Sequence, residues 1–375
     1  MDEIIPITMP KFGLAMIEGK VVSWAKPEGA EISVGDEIAD IETTKITNAY
    51  ESPVTGTLRR YVAATQQDLP VGALIAVVAH ARVPDSAIDD FIAAFQAAFA
   101  SGQAQVHTDA VPEPVSVEID GGRIRYLETG HALGGRPIVL IHGFGGDLNN
   151  WLFNQPELSE RHRVIALDLP GHGGSTKNVG TGDLTALSAA VVGLLAALDI
   201  PTAHLVGHSL GGALALRVAL DQPACVASLS LISSAGLGVE IDHGFLTEFV
   251  AASRRKQMQQ VLEKLFKNKR LVSRDMVEDL LKYKRLDGVG AALSLVAAVH
   301  FADGRQKEIL RGRLMELRSI PVQVIWGAED EIIPAHHAED LPPNVRTHVL
   351  PDAGHMPQME KAREVNRLIM ELVAL

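Results

Sequence analysis

From about residue 115 to the end of the chain, short continuous apolar runs alternate with helical patterns, and this alternation narrows the fold more than any other feature. The runs are residues 137–141 (Pro-Ile-Val-Leu-Ile), 163–167, 203–206, 229–232 and 322–326. A strand wetted on one face alternates apolar and polar residues, whereas a strand apolar throughout must be covered on both faces. Such strands separated by helices indicate a mostly parallel sheet with helices on either side. Residues 1 to about 80 have another rhythm, with short alternating stretches broken by Gly29, Gly35 and Ser52-Pro-Val-Thr-Gly56. That spacing indicates a small all-β sandwich. The fold class is therefore multidomain, with 375 residues too many for one ordinary small domain.

The first segment is also similar to itself. A Gly-x-Val/Leu pattern opens a strand at Gly19 and again at Gly56, and Gly35-Asp-Glu-Ile matches Gly72-Ala-Leu-Ile, so two like halves are expected to pack as a pseudo-symmetric pair of sheets. Residues 81–115 are richer in Ala, Gln, Asp and Pro and read as a linker, with Val111-Pro-Glu-Pro114 as an extended spacer. Within it Ile88, Phe91, Ile92, Phe95 and Phe99 follow helical spacing, Ser86 is a candidate N-cap and Ser101-Gly102 a stop. The expected role of this helix is to pack against the C-terminal domain; an oligomer or partner contact is the alternative.

A formal charge of −12 argues against general nucleic-acid binding, which needs clustered Lys and Arg on phosphates. Cys225 is the only cysteine, so no internal disulfide framework or cysteine-rich metal site exists, and a role as small core filler in a reducing compartment is expected. No positively charged region precedes an apolar run at the start, and no stretch approaches about 18 apolar residues. These features lead us to expect a cytoplasmic protein with no membrane association.

The strongest chemical motif is Gly207-His-Ser209-Leu-Gly211, which directly follows an apolar run and precedes the helical pattern of residues 213–220. A sharp strand-to-helix turn crowds the positions two before and two after the nucleophile, and glycine at both meets that need. A serine hydroxyl needs a base to take its proton, and the base needs an acid to fix its tautomer. In the order Ser, acid, His, Asp330 after the strand ending at Trp326 and His355 in the loop before the last helix fit the roles; Glu329 and Asp352 are rival carboxylates read as turn or capping residues. His204, His300, His336 and His337 read as satisfied or solvated. The backbone amides of Phe144, in the run His142-Gly-Phe-Gly-Gly146, and of Leu210 are the expected oxyanion donors. The turn over residues 168–174 is expected to support the site from below. No metal is expected.

The second motif is Glu42-Thr-Thr-Lys45-Ile-Thr47, at the middle of the first segment. In a two-fold sandwich that midpoint is a hairpin tip, where a lysine is either an ordinary solvated turn residue or an accessible attachment point. Residues 4–79 as a whole resemble a lipoyl domain, a resemblance that implies lipoic acid on Lys45. Related biotin carriers flank the lysine with methionine, so Thr44 and Ile46 favour lipoyl. Residues 116–375 resemble the α/β-hydrolase superfamily, from the His-Gly loop through Ser209 to His355, which makes residues 239–317 a helical cap. Between residues 251 and 285 there are eleven basic and four acidic residues, either a solvated helical face or a field for coenzyme A phosphates or the lipoyl domain.

A lipoyl domain joined to an α/β-hydrolase is similar to the dihydrolipoyl acetyltransferase component of acetoin dehydrogenase complexes. The resemblance implies an acyltransferase carrying acetyl from the lipoyl arm to coenzyme A. It also implies three partners: a thiamine-diphosphate-dependent component that loads the arm, a dihydrolipoamide dehydrogenase that reoxidises it, and a lipoylating enzyme. A homo-oligomer is expected. An esterase or thioesterase recruited by its lipoyl domain is the alternative. Ordinary lipoyl acyltransferases carry a His-x-x-x-Asp-Gly motif, and His300-Phe-Ala-Asp303-Gly304 is one residue short of it.

Overall fold

The structure, a computed structural model, describes residues 4–10, 12, 16–43, 47–100, 112–131, 133–302 and 304–375. The chain divides into two compact units, Met1–Val111 with Ser273–Met276, and Pro112–Val272 with Val277–Leu375.

The first unit holds strands β1 (Ile4–Thr8), β2 (Glu18–Trp24), β3 (Glu31–Ile32), β4 (Glu37–Glu42), β5 (Thr47–Glu51), β6 (Gly56–Tyr61), β7 (Asp68–Pro70) and β8 (Leu74–Ala79). They form two four-stranded sheets, ordered β1-β8-β6-β3 and β5-β4-β2-β7. Advancing each strand by half the set turns one order into the other, the internal two-fold that the Gly19 and Gly56 repeat predicts. Gly35 before β4 and Gly72 before β8 both take positive φ, 93° and 84°, a conformation open to glycine at little cost. Between the sheets Ile7, Val21, Ile38, Ile41, Leu58 and Ile75 are fully buried.

Helix α1 (Asp85–Ala100) corrects an expectation. It does not wait for the C-terminal domain: Ile88, fully buried, seats among Leu74, Val77, Ala79 and Val83, with Phe91, Ile92 and Phe95 half-buried around it. Arg59 and Arg60 of β6 fix its start through Asp85 and Asp89, both at 2.9 Å. The all-apolar face of β8 demands that cover, and the linker helix supplies it. Ser86 lies inside the first turn, not at the cap, and Ser101-Gly102 fall outside the described residues.

The second unit opens with β9 (Val115–Ile119), β10 (Gly122–Thr129), β11 (Ile138–Ile141), α2 (Gln155–Ser159), β12 (Val164–Leu167), α3 (Leu184–Ala197), β13 (Ala203–His208), α4 (Leu210–Asp221) and β14 (Val226–Ile232). Helices α5 (His243–Ala251), α6 (Arg255–Glu263), α7 (Arg274–Lys284) and α8 (Val289–His300) and the small hairpin β15 (Phe301–Ala302) and β16 (Arg305–Gln306) follow. Strands β17 (Val322–Gly327) and β18 (Val345–Leu350) and helices α9 (Pro357–Glu360) and α10 (Ala362–Val373) close the chain. Eight strands form one sheet ordered β18-β17-β14-β13-β11-β12-β10-β9, parallel from β12 to β18 with β10 and β9 antiparallel at the edge. Every residue of β11, β12, β13 and β17 is buried, as the unbroken apolar runs of β11 and β12 require, and the burial extends to His204 and His208 of β13 and Gln323 of β17. Cys225 is not core filler: it is half-buried in the turn before β14, with Sγ on the Gln222 carbonyl at 3.1 Å. Among the described residues no helix is long and apolar enough to cross a membrane.

Candidate active site

Strand β13 ends at His208 and α4 begins at Leu210, so the chain reverses character at Ser209, whose φ and ψ are 53° and −119°. A non-glycine residue there is strained by about 1–3 kcal/mol and persists only when its surroundings hold it. Here they do: its N–H donates to the Ile232 carbonyl at 2.9 Å, and its own carbonyl accepts from Gly212, Ala213 and Ala235 at 3.0, 3.3 and 3.0 Å. A side chain at position 207 would collide with the Gly211 backbone, and one at 211 with the carbonyls of Ile141 and His142. The two glycines are therefore what permits the turn.

Asp330 follows β17 and His355 follows β18. The His355 Nδ1–H donates to Asp330 Oδ2 at 2.8 Å, while Asp330 Oδ1 accepts from the amides of Ile332 and Ile333 at 2.8 and 2.9 Å. Both side chains are buried, so the acid is fixed on one side and the ring's tautomer on the other. The rivals take structural parts. Glu329 accepts from the Ala353 amide at 3.1 Å, tying the two loops together, and Asp352 occupies a turn at φ 55°.

His208 joins these elements. Its ring lies 4.8 Å from that of His355, and its Nε2–H donates to the His355 carbonyl at 2.8 Å. Burial holds its pKa well below the usual value, which keeps it neutral. Among the described residues its Nδ1 has no partner. The structure thus brings His355 against the residue preceding Ser209, though no hydrogen bond links Ser209 Oγ to the imidazole among the described residues. Apo sites commonly show such catalytic pairs unclosed.

On the other side of Ser209 runs the loop after β11, where a side chain on Gly143 would lie 2.9 Å from Ser209 Cβ. Phe144 and Leu210 thus flank the serine, and neither amide is used in a turn or loop hydrogen bond among the described residues. The loop rests on a buried polar frame. His142 Nε2 accepts from the Leu169 amide and His172 Nε2 from the Gly145 amide, both at 3.0 Å, while the Nδ1–H groups donate to the carbonyls of Gly143 and Pro170 at 2.7 and 3.0 Å. Burial lowers their pKa values to about 4 and about 3, so each is neutral and presents one donor and one acceptor. Asp168 receives Leu148 N–H at 2.8 Å, Gly174 N–H at 2.7 Å and Arg125 at 3.1 Å. The turn over residues 168–174 therefore braces the loop, as its sequence suggests. From the cap, Phe249 covers Gly145 and stacks edge-on to Phe144 at 5.5 Å, and Lys284 donates to the carbonyls of Phe249, Val250 and Ala252. None of the Phe249, Lys284 or His208 contacts has a local sequence signal.

Of the other histidines, His204 bonds Ser228 at 2.8 Å and buried His337 bonds Glu240 at 2.7 Å. Glu240, His336 and His337 place ligand-type atoms within 4.8 Å of one another, a grouping that the sequence reading passes over. Asp303 falls outside the described residues.

In the first unit, β4 and β5 pair antiparallel up to Glu42 and Thr47, so residues 43–46 join the two strands. Lys45, Thr44 and Ile46 lie outside the described residues.

A family model of the alpha/beta hydrolase fold matches residues 136–362, and one of biotin-requiring enzymes matches residues 5–78. The dihydrolipoyllysine-residue acetyltransferase component of the acetoin cleaving system of Pseudomonas putida is 50% identical over 99% of this chain and 98% of its own length. Its counterpart in Cupriavidus necator is 46% identical over 98% and 96%. Among solved structures, a meta-cleavage product hydrolase from Pseudomonas fluorescens matches 69% of this chain and 96% of its own at 25% identity and a TM-score of 0.61. The chain belongs to the family of dihydrolipoyllysine-residue acetyltransferase components of acetoin cleaving systems, acyltransferases in which a lipoyl domain precedes an α/β-hydrolase-fold domain.

Proposed function

We propose that this acyltransferase moves an acetyl group from a lipoyl arm on Lys45 to coenzyme A, using Ser209 as nucleophile, His355 as base and Asp330 as the residue that orients it. The observation that carries the reading is the Asp330–His355 pair, bonded at 2.8 Å and set against the strained strand-to-helix turn of Ser209. Residues 1–80 form the lipoyl-binding domain, residues 81–115 the linker, and residues 116–375 the acyl-transfer domain with its cap at about 239–317.

The lipoyl group, when attached, supplies an acyl thioester and the thiol that leaves from it. His355 Nε2, its other nitrogen committed to Asp330, receives the Ser209 proton as Oγ bonds to the acyl carbon. The amides of Phe144 and Leu210 receive the charge that develops on the carbonyl oxygen. His355 would then give that proton to the departing thiol, leaving the acyl group on Ser209 Oγ. His355 then takes the thiol proton of coenzyme A as that sulfur bonds to the acyl carbon, and returns it to Ser209 Oγ as the carbon–oxygen bond breaks. The partners of this cycle are a thiamine-diphosphate-dependent component, a dihydrolipoamide dehydrogenase and a lipoylating enzyme. The chain works as a homo-oligomer in the cytoplasm, with neither nucleic acid nor membrane.

Ser209→Ala should lower acetyl transfer between acetyl-coenzyme A and dihydrolipoamide by on the order of a thousandfold or more while leaving the fold intact. Undiminished transfer would end the triad mechanism. Likeness to a hydrolase at 25% identity favours a second reading in which water is the acceptor. Product partition separates the two, since acetate in excess of acetyl-coenzyme A at saturating thiol would select the hydrolase.

A further inference from the structure

In a chain of net charge −12, residues 251–285 carry eleven basic and four acidic residues. Some of these cations are internally matched: Lys264 pairs with Asp242 and Glu248 at 3.2 and 3.0 Å, and Lys282 with Asp279 at 2.8 Å. Arg254, Arg255, Lys256, Lys267, Lys269 and Arg270 are exposed, and among the described residues none has a carboxylate partner. They flank α6 at both ends. At its start no acidic residue occupies the first turn, so three cations face the positive end of the helix dipole, an arrangement that disfavours the free protein and favours an anion.

The second group is fixed beside the site. Glu360 of α9 accepts from the Asn268 amide at 2.9 Å and from the Gly354 amide at 2.6 Å, and the Lys267 amide also bonds it. One carboxylate thus gathers the basic loop and the residue preceding His355. The approach is close enough that a side chain on Gly354 would lie 2.8 Å from the Lys267 nitrogen. Lys267, Lys269 and Arg270 therefore stand on a segment clamped to the base of the triad.

We propose that Lys267, Lys269 and Arg270, with the cations at the start of α6, form the anchor for the phosphates of the thiol acceptor. This rests on the reading that coenzyme A is that acceptor. Its adenosine and pyrophosphate end is strongly anionic and stays outside the pocket, while its long neutral arm carries the thiol to His355. Exposed side-chain cations contribute chiefly through charge, so the effect should weaken with salt.

The test uses the full-length protein, S-acetyldihydrolipoamide as acyl donor, and three acceptors: coenzyme A, its 3′-dephospho form and phosphate-free pantetheine. In the unaltered protein KM should rise in that order. Neutralising Lys267, Lys269 and Arg270 to Gln should raise KM for coenzyme A by about tenfold, in line with the loss of a few exposed charge contacts. The rate with pantetheine should not change, which also reports that the variant is folded; if the triple variant does not fold, Lys269→Gln alone is read the same way. Equal KM for the three acceptors in the unaltered protein, or an unchanged KM for coenzyme A in the variant, overturns the anchor. So does a rise in KM only for the acylated lipoyl domain as donor, which would make the patch its docking surface. Acetate as product with every thiol would instead overturn the acyltransfer reading itself.

Discussion

Ser209 shows how much a single position can be asked to do. Its backbone is held at a φ of 53°, and the hydrogen bonds that hold it come from two segments, the first turn of α4 and the end of β14 with the residues after it. Asp330 acts one step removed. By accepting from His355 Nδ1 it leaves Nε2 free to receive a proton, so Asp330→Asn should keep the fold yet lower kcat by on the order of a thousand- to ten-thousandfold through the wrong tautomer. Glu329→Gln, which leaves that tautomer alone, should cost far less; comparable losses in both variants would mean that the acid has been misassigned. His142 and His172 carry a prediction of another kind. Their folded pKa values, about 4 and about 3, lie below the ordinary value near 6.5, so the unfolded chain binds protons that the folded one refuses. Stability is full above pH 6.5 and falls as pH drops towards 4, by about 2 kcal/mol for each histidine at pH 5. Thermal melts from pH 8 to pH 5 should show that loss, and a flat Tm would contradict the neutral frame. The strand-to-helix turn at Ser209 could be read in the sequence because glycines two before and two after it are a local signal, whereas the bond between Asp330 and His355 could be anticipated only from chain order. His208 could not, since its partner lies 147 residues away.

At the scale of elements, pattern identified which segments are strands and helices more reliably than what they touch. The largely apolar runs of β11, β12, β13 and β17 made the buried parallel sheet legible, and the Gly19 and Gly56 repeat made the two-fold of the first unit legible. Helix α1 was legible as a helix but not as a cover. Its periodic face says only that something apolar lies beneath, and the surface that needed covering was β8, with all six residues buried. The helical content between β14 and β17 was expected from resemblance alone, and the bond from the Asn268 amide to Glu360 had no signal at all, since it joins residues 92 apart in sequence. The α1 seat can be tested at Ile88, which is fully buried. Ile88→Ala removes side-chain contacts and leaves a cavity, a change that typically costs 2–5 kcal/mol, or about that here. The melting transition of the first unit should drop while transfer to free dihydrolipoamide, which needs only the second unit, stays the same. A loss confined to the second unit would place the helix there after all.

For the whole molecule the decisive fact is that carrier and catalyst are one polypeptide with two cores. Each unit buries its own apolar residues, so neither is needed to fold the other, and what the covalent join provides is concentration. A carrier tethered through the short stretch between Ala100 and Pro112 meets its pocket at about millimolar effective concentration, whereas free enzyme at micromolar levels would meet it roughly a thousand times less often. The acidic bias of residues 1–80, eleven acidic against six basic, does not replace that tether, because exposed charges are screened within about 10 Å at ordinary salt. Cutting the chain between Ala100 and Pro112 should therefore leave both pieces folded and leave transfer between acetyl-coenzyme A and free dihydrolipoamide unchanged. Transfer that depends on the arm at Lys45 should fall by on the order of a thousandfold at micromolar enzyme and recover as the pieces are concentrated towards the millimolar range. Arm-dependent transfer that survives cutting at high dilution would mean that the two units hold each other by a strong surface contact, and that tethering contributes little.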